Sequence, residues 1–219
     1  MLPAVRLPPS ILSGGTNEEI LNPSTLSYLR EVTPENPFQA LTVPLPVLRF
    51  VEIIRALDTR GARVYHASDA SRRAMRLVRE QEEVAGDATL VFSDLPLYDT
   101  MRVARMQRTG STLVAVVGEL VSRSEAQLLH LLCGMYRTVR LQSLTVSHAD
   151  PERLVIATEL LHRPEFDAPP YEFDMSRFFL TKLDELNSMH GQIRLELARA
   201  PHRDKTAAWV AAFLPENVV

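Results

Sequence analysis

Between residues 110 and 159 the chain reads GSTLVAVVGELVSRSEAQLLHLLCGMYRTVRLQSLTVSHADPERLVIATE, and the order of patterns there restricts the fold more than any other segment. TLVAVVG is a continuous apolar run of the kind found in strands covered on both faces. Ser122 and Glu125 have the spacing of a capping box and open an amphipathic helix that runs to Gly134. TVRLQSL and ERLVIATEL then read as strands, with only SHADP set aside as the loop between them. A loop that short cannot carry a crossover helix, so the last two strands are expected to form an antiparallel hairpin.

Upstream, strands and helices alternate at similar spacing. ARVYHA reads as a short strand, and Asp69 is expected to cap the helix ASRRAMRLVREQEEV. Gly86-Asp87 turns the chain into ATLVFSD, a second buried strand, and residues 95–109 read as loop or short helix. Before these, Leu48, Val51, Ile54 and Leu57 recur every three residues, which predicts a helix over 45–57 ended by Gly61. The alternation predicts a doubly wound α/β sheet, mostly parallel, over residues 47–163. A Pro-rich arm, residues 1–46, precedes it; short helices are expected after Thr16 and after Asn22-Pro23, and FQALTV reads as an edge strand. Residues 164–219 form a helical extension, opened by a Pro-rich linker at 164–170. Phe178, Phe179, Leu183, Leu186, Met189, Ile193 and Leu197 make an apolar stripe on its long helix, and TAAWVAAFL closes the chain.

Composition excludes several classes of function. With 46% hydrophobic and 23% charged residues the chain reads as globular, and no apolar run approaches the ~18–20 residues a membrane span needs. The Pro-rich start is a poor secretory signal. One cysteine, Cys133, allows no internal disulfide and no cysteine metal site; its apolar surroundings predict a buried structural thiol. A reducing intracellular compartment is expected. The histidines (His66, His130, His148, His162, His190, His202) are scattered without metal-ligand spacing, so no metal is expected. The formal net charge of −3 lacks the global footprint of a nucleic-acid binder, although Arg72, Arg73, Arg76 and Arg79 line one helix face. That face reads first as a solvated, salt-bridged surface and second as an RNA contact. Only Lys182 and Lys205 are lysines, so any chemistry needing a lysine before position 182 is impossible.

Taken in order, several short segments resemble the FtsJ-like RNA ribose 2′-O-methyltransferases, especially their cap-methylating branch, over roughly residues 88–215. Gly110 to Val116 matches the family's Gly-Gly-Phe-Val-x-Lys strand; Met135-Tyr136-Arg137-Thr138-Val139 matches the turn into its next strand; Pro151-Glu152-Arg153-Leu154-Val155-Ile156 matches its Ser-Glu-Arg-Tyr-Val-Val ending. Asp174 to Phe179, Leu186-Asn187, Gln192, Trp209-Val210 and Leu214-Pro215 resemble its final helices. Gln142-Ser143 and Val146-Ser147 depart from its Lys-Pro and Ser-Arg. The resemblance implies a Rossmann-like class I methyltransferase sheet, mostly parallel with an antiparallel C-terminal hairpin, followed by C-terminal helices.

The resemblance also implies a Lys-Asp-Lys-Glu set in which a lysine of depressed pKa deprotonates the ribose hydroxyl. Carried over, the aspartate falls on Asp94 and the glutamate on Glu152. The central lysine falls on Val116, and the first has no counterpart. S-adenosylmethionine sites of this fold use a glycine-rich loop after the first strand, whereas Gly14-Gly15, Gly61 and Gly86 make no Gly-x-Gly pattern. Asp69 stands where a ribose-binding acid would stand, and an N-cap role accounts for it as well. Residues 1–87 are short for the family's cofactor half. The first expectation is therefore a catalytically degenerate member that binds no cofactor and serves as a structural, scaffolding or activating subunit of an RNA-processing or ribonucleoprotein assembly. An active S-adenosylmethionine-dependent RNA 2′-O-methyltransferase with an unusual base, a non-catalytic RNA-binding module, and an unrelated Rossmann-like protein are the alternatives.

Overall fold

The computed structural model describes residues 36–78, 83–147, 150–163, 174–199 and 203–214, with the side chains of 197–199 and 203–205 left aside. The expected short helices before residue 36, Arg79, His148, His202 and the linker at 164–170 lie outside these residues. So does the side chain of Leu197.

Helix α1 (Leu45–Ala56) begins at Pro44, with Pro46 in its first turn, where a missing N–H costs nothing. It leads to β1 (Val64–His66), α2 (Asp69–Val78), β2 (Ala88–Ser93), α3 (Leu97–Val103) and β3 (Gln107–Val117). Then follow α4 (Arg123–Met135), β4 (Tyr136–Gln142), β5 (Arg153–Leu160), α5 (Arg177–Arg199) and α6 (Arg203–Phe213). The five strands form one mixed sheet in the order β1-β2-β3-β5-β4. β1, β2 and β3 are parallel; β5 runs antiparallel between β3 and β4, with Val116 opposite Leu154 and Leu141 opposite Val155. The expected antiparallel ending is present, and α4 carries the chain from β3 to β4 past the place that β5 fills. The capping box is also present: Ser122 Oγ accepts from Glu125 N–H, and Glu125 Oε2 accepts from Ser122 N–H.

Alternate residues of each strand face two cores. Leu90, Phe92, Val114, Val116 and Leu154 pack on α1, α2 and α6. Val91, Leu113, Ala115, Val117 and Val155 pack on α3, α4 and Leu183 of α5. β3 begins earlier than its apolar run suggests. Ala88 and Leu90 face Gln107 and Thr112, so three extra residues bulge there, and Gly110 takes φ +83°, a conformation that suits glycine. The Gln107 side chain spans the bulge, donating to the Thr112 carbonyl at 2.8 Å and accepting the buried Tyr136 hydroxyl.

Four expectations are corrected. Residues 37–40 form a 3-10 turn rather than a strand, because Pro37 opens it and the Asn36 side chain caps the Phe38 N–H. Ser68, not Asp69, stands at the cap of α2: its Oγ accepts the Ser71 N–H at 3.3 Å, and Asp69 is the first helical residue. The apolar stripe on α5 is only partly inward. Phe178 and Met189 are 73% and 63% exposed, while Leu183, Asn187, His190 and Arg194 form the buried face. Cys133 is exposed on α4 rather than buried, although packing around the sulfur pushes its pKa up and disfavours the thiolate.

Candidate functional site

The sheet diverges between β1 and β2. The Arg63 carbonyl accepts from Leu90 of β2, while the Val64 carbonyl, pointing to the opposite edge, accepts from Val84. Glu83 there makes a one-residue parallel bridge to Val64. From β1 the chain thus travels outward through α2 to Glu83, and from β2 it travels the other way through α3 to β3. The two helices lie on opposite faces, as one crossover hand requires for opposite directions of travel. In such sheets ligand sites form at the carboxyl ends of the strands beside the point of divergence. The residues leaving the strands at this edge are His66 to Asp69, Ser93-Asp94 and Gly118-Glu119, with Glu152 entering β5.

Strand register brings three of the four positions that the resemblance marks to one face of this edge. Ser93 pairs with Ala115, which sets Asp94 level with Val116, and Val117 pairs with Arg153, which sets Glu152 level with Gly118. Val116 is 5% exposed and belongs to the α1-side core. Glu152 is engaged: Arg49 of α1 lies 3.1 Å from its Oε1 and 3.1 Å from Oδ2 of Asp150, and its Nε donates to Ser147 Oγ at 2.7 Å. Glu52, one turn along α1, accepts the N–H groups of Thr145 and Val146 and the indole N–H of Trp209. Asn36 donates to the Val146 carbonyl and to Asp150. The β4–β5 connection is therefore clamped onto α1, the 3-10 turn and α6.

At the β1 exit, His66 is 4% exposed, stacks on Phe92 with centroids 5.6 Å apart, and contacts Ser71 Oγ through Nδ1 at 3.1 Å. Burial lowers its pKa to about 4, and Arg72 adds to this against the opposing pull of Glu83, so the ring is neutral near pH 7. Arg72 pairs with Asp69 at 2.6 Å and with Glu83 at 2.8 Å. The hydrogen bond between Arg72 and Glu83 raises the pKa of the one and lowers that of the other. Asp69 is exposed, as are Arg73 and Arg76. The structure thus separates the arginine row into an engaged Arg72 and two solvated members.

The other face of the edge holds a polar cluster that the sequence reading missed. Arg194 of α5 pairs with Glu119 at 3.2 Å, Asn187 donates to the Leu120 carbonyl at 3.3 Å, and His190 Nδ1 contacts Ser143 Oγ at 3.1 Å. Arg153 lies beside them, 5% exposed. Burial lowers its pKa to about 10; Glu119 opposes that shift and Arg194 reinforces it. Leu120 sits at φ +54°, a strained conformation for a branched residue, held by its buried side chain and by Asn187. Periodicity could have flagged this cluster, because Leu183, Asn187, His190 and Arg194 follow helical spacing.

Among the described residues no three His, Cys, Asp or Glu side chains group as a metal site, and no helix is long and apolar enough to cross a membrane. A shallow groove lined by Ile54, Arg55, Leu57, Asp58, Arg60 and Val78 lies at the far end of α1, beside the amino ends of the strands. No family model matches the chain, and no curated protein matches it.

Proposed function

We propose that this chain is a degenerate FtsJ-like methyltransferase domain that has lost catalysis and works as a structural, scaffolding or activating subunit of a larger RNA-processing or ribonucleoprotein assembly. The observation that carries the reading is the state of the three coincident family positions. A base must titrate and reach solvent, and the central position holds Val116, packed in the core. Glu152, which would tune that base, is instead an ion-pair partner of Arg49 in a clamp that fixes the β4–β5 connection. The same geometry that would assemble a tetrad here assembles packing.

The antiparallel strand lying between β3 and β4 suits the methyltransferase sheet that the resemblance implies. The β1 exit does not suit S-adenosylmethionine. His66-Ala67-Ser68-Asp69 contains no glycine, so every position there carries a Cβ where a cofactor would need close backbone approach. The buried His66 ring on Phe92 fills the base of that exit. Beyond β1, among the described residues, Glu83 makes a one-residue bridge to Val64. The exposed Phe178, Leu186 and Met189 on α5 fit a protein partner better than bulk water.

Methyl transfer from labelled S-adenosylmethionine to capped and uncapped RNA tests the loss of catalysis. The expected result is incorporation no higher than without protein. Stoichiometric or faster incorporation that is lost in Asp94→Ala and Glu152→Ala would make the chain an enzyme with an unusual base.

A further inference from the structure

We infer that Arg153 is the anchor of a phosphate-binding site at the carboxyl edge of the sheet, on the face opposite Glu152, closed by α5. Consecutive residues of the chain make the contrast. Glu152 turns to one face and is paired by Arg49, whose guanidinium has three side-chain acceptors. Arg153 turns to the other face, 5% exposed, and its enclosed Nε has no hydrogen-bond partner. The nearest opposing charge, Glu119, is bonded to Arg194 at 3.2 Å. A guanidinium N–H buried without an acceptor is costly, and an anion arriving at the 118–122 turn offsets that cost.

The neighbouring groups narrow the anion. Asn187 borders the same turn, and its Oδ1 is buried without a donor while its Nδ2 is held by the Leu120 carbonyl. The site therefore offers a cation and an orphaned acceptor. A phosphate group that retains one O–H supplies charged oxygens to the first and a hydrogen to the second. Sulfate and a carboxylate at neutral pH supply only the charged oxygens. Arg194, Arg153 and Ser143 come from a helix, a strand and a strand end, an approach from several directions that suits a tetrahedral group better than a planar one. Glu119 and Ser143 are the partly exposed residues of the cluster and mark the entrance. The inference is independent of the proposed loss of methyl transfer.

Thermal unfolding of the full chain at pH 6.5 tests it, with inorganic phosphate, sulfate, acetate or chloride added at matched ionic strength. With a dissociation constant on the order of 1 mM, 10 mM phosphate raises Tm by about 3 °C, sulfate and acetate raise it less, and chloride leaves it unchanged. Arg153→Gln removes the phosphate shift. Glu119→Gln removes the competing carboxylate and enlarges that shift, which keeps the test decisive if Arg153→Gln fails to fold. No phosphate shift in the wild type, an equal shift in Arg153→Gln, no enlargement in Glu119→Gln, or acetate or sulfate acting as strongly as phosphate would overturn the inference.

Discussion

Arg49 of α1 lies 3.1 Å from Glu152, the residue before β5, and this pair joins the first described helix to the last hairpin. Both side chains are largely withdrawn from water, and the same guanidinium also reaches Asp150 and Ser147. Removing one member of such a cluster strands the others. Arg49→Met is expected to cost about 3–5 kcal/mol. Arg49→Lys keeps the charge but loses the planar fork and is expected to cost less. Urea unfolding of the two variants beside the wild type measures the difference.

Val116 is the position that bears most directly on whether the chain can support the chemistry it resembles. A lysine there would enter a core position between Val114 and Leu154, where Glu152 is already held by Arg49. Val116→Lys is expected to lower stability by several kcal/mol and to leave methyl transfer at background. Thermal unfolding and the transfer assay together read both outcomes.

His66 gives the fold a pH dependence of defined sign. Its pKa is about 4 in the folded chain and 6.5 in the ordinary state, so the unfolded chain binds the proton more readily. The contribution is fully present above pH 6.5 and is lost as pH falls from 6.5 toward 4, by up to about 3 kcal/mol. His66→Phe, which keeps a ring on Phe92, is expected to flatten the stability profile over that window. Unfolding free energies at pH 7, 5.5 and 4.5 would show it.

Trp209, the one tryptophan of the chain, reports on the clamp from α6. Its indole N–H donates to Glu52 at 3.1 Å, and its ring meets Phe38 edge-on and stacks on Phe213. Because Glu52 keeps two backbone donors, Trp209→Phe is expected to cost only about 1 kcal/mol. In the wild type, tryptophan fluorescence should change together with circular dichroism on unfolding. A separate, earlier fluorescence transition would show that α6 is not part of the cooperative unit.

The strands and helices were legible where local pattern and tertiary role agree. The capping box at Ser122 and the short connection before Pro151 are both decided by neighbours in sequence. Asn36 was not legible: its side chain caps Phe38 locally but also bonds Val146 and Asp150, more than a hundred positions away. The α5 stripe misled for a related reason. Apolar spacing marks a face that can be buried, whereas here Asn187, His190 and Arg194 are turned inward because the 118–122 turn and the end of β4 supply their partners. The acidic positions Asp94 and Glu152 were singled out by the resemblance, but that Glu152 is taken by Arg49 follows only from how α1 crosses the sheet.

Calorimetric titration of the purified chain with S-adenosylmethionine, with sinefungin as a parallel ligand, tests the proposed loss of cofactor function most directly. The expected result is no binding heat up to millimolar ligand, since the β1 exit carries no glycine and the buried His66 ring stacks on Phe92 there. Saturable binding in the micromolar range would contradict it and restore the enzymatic reading.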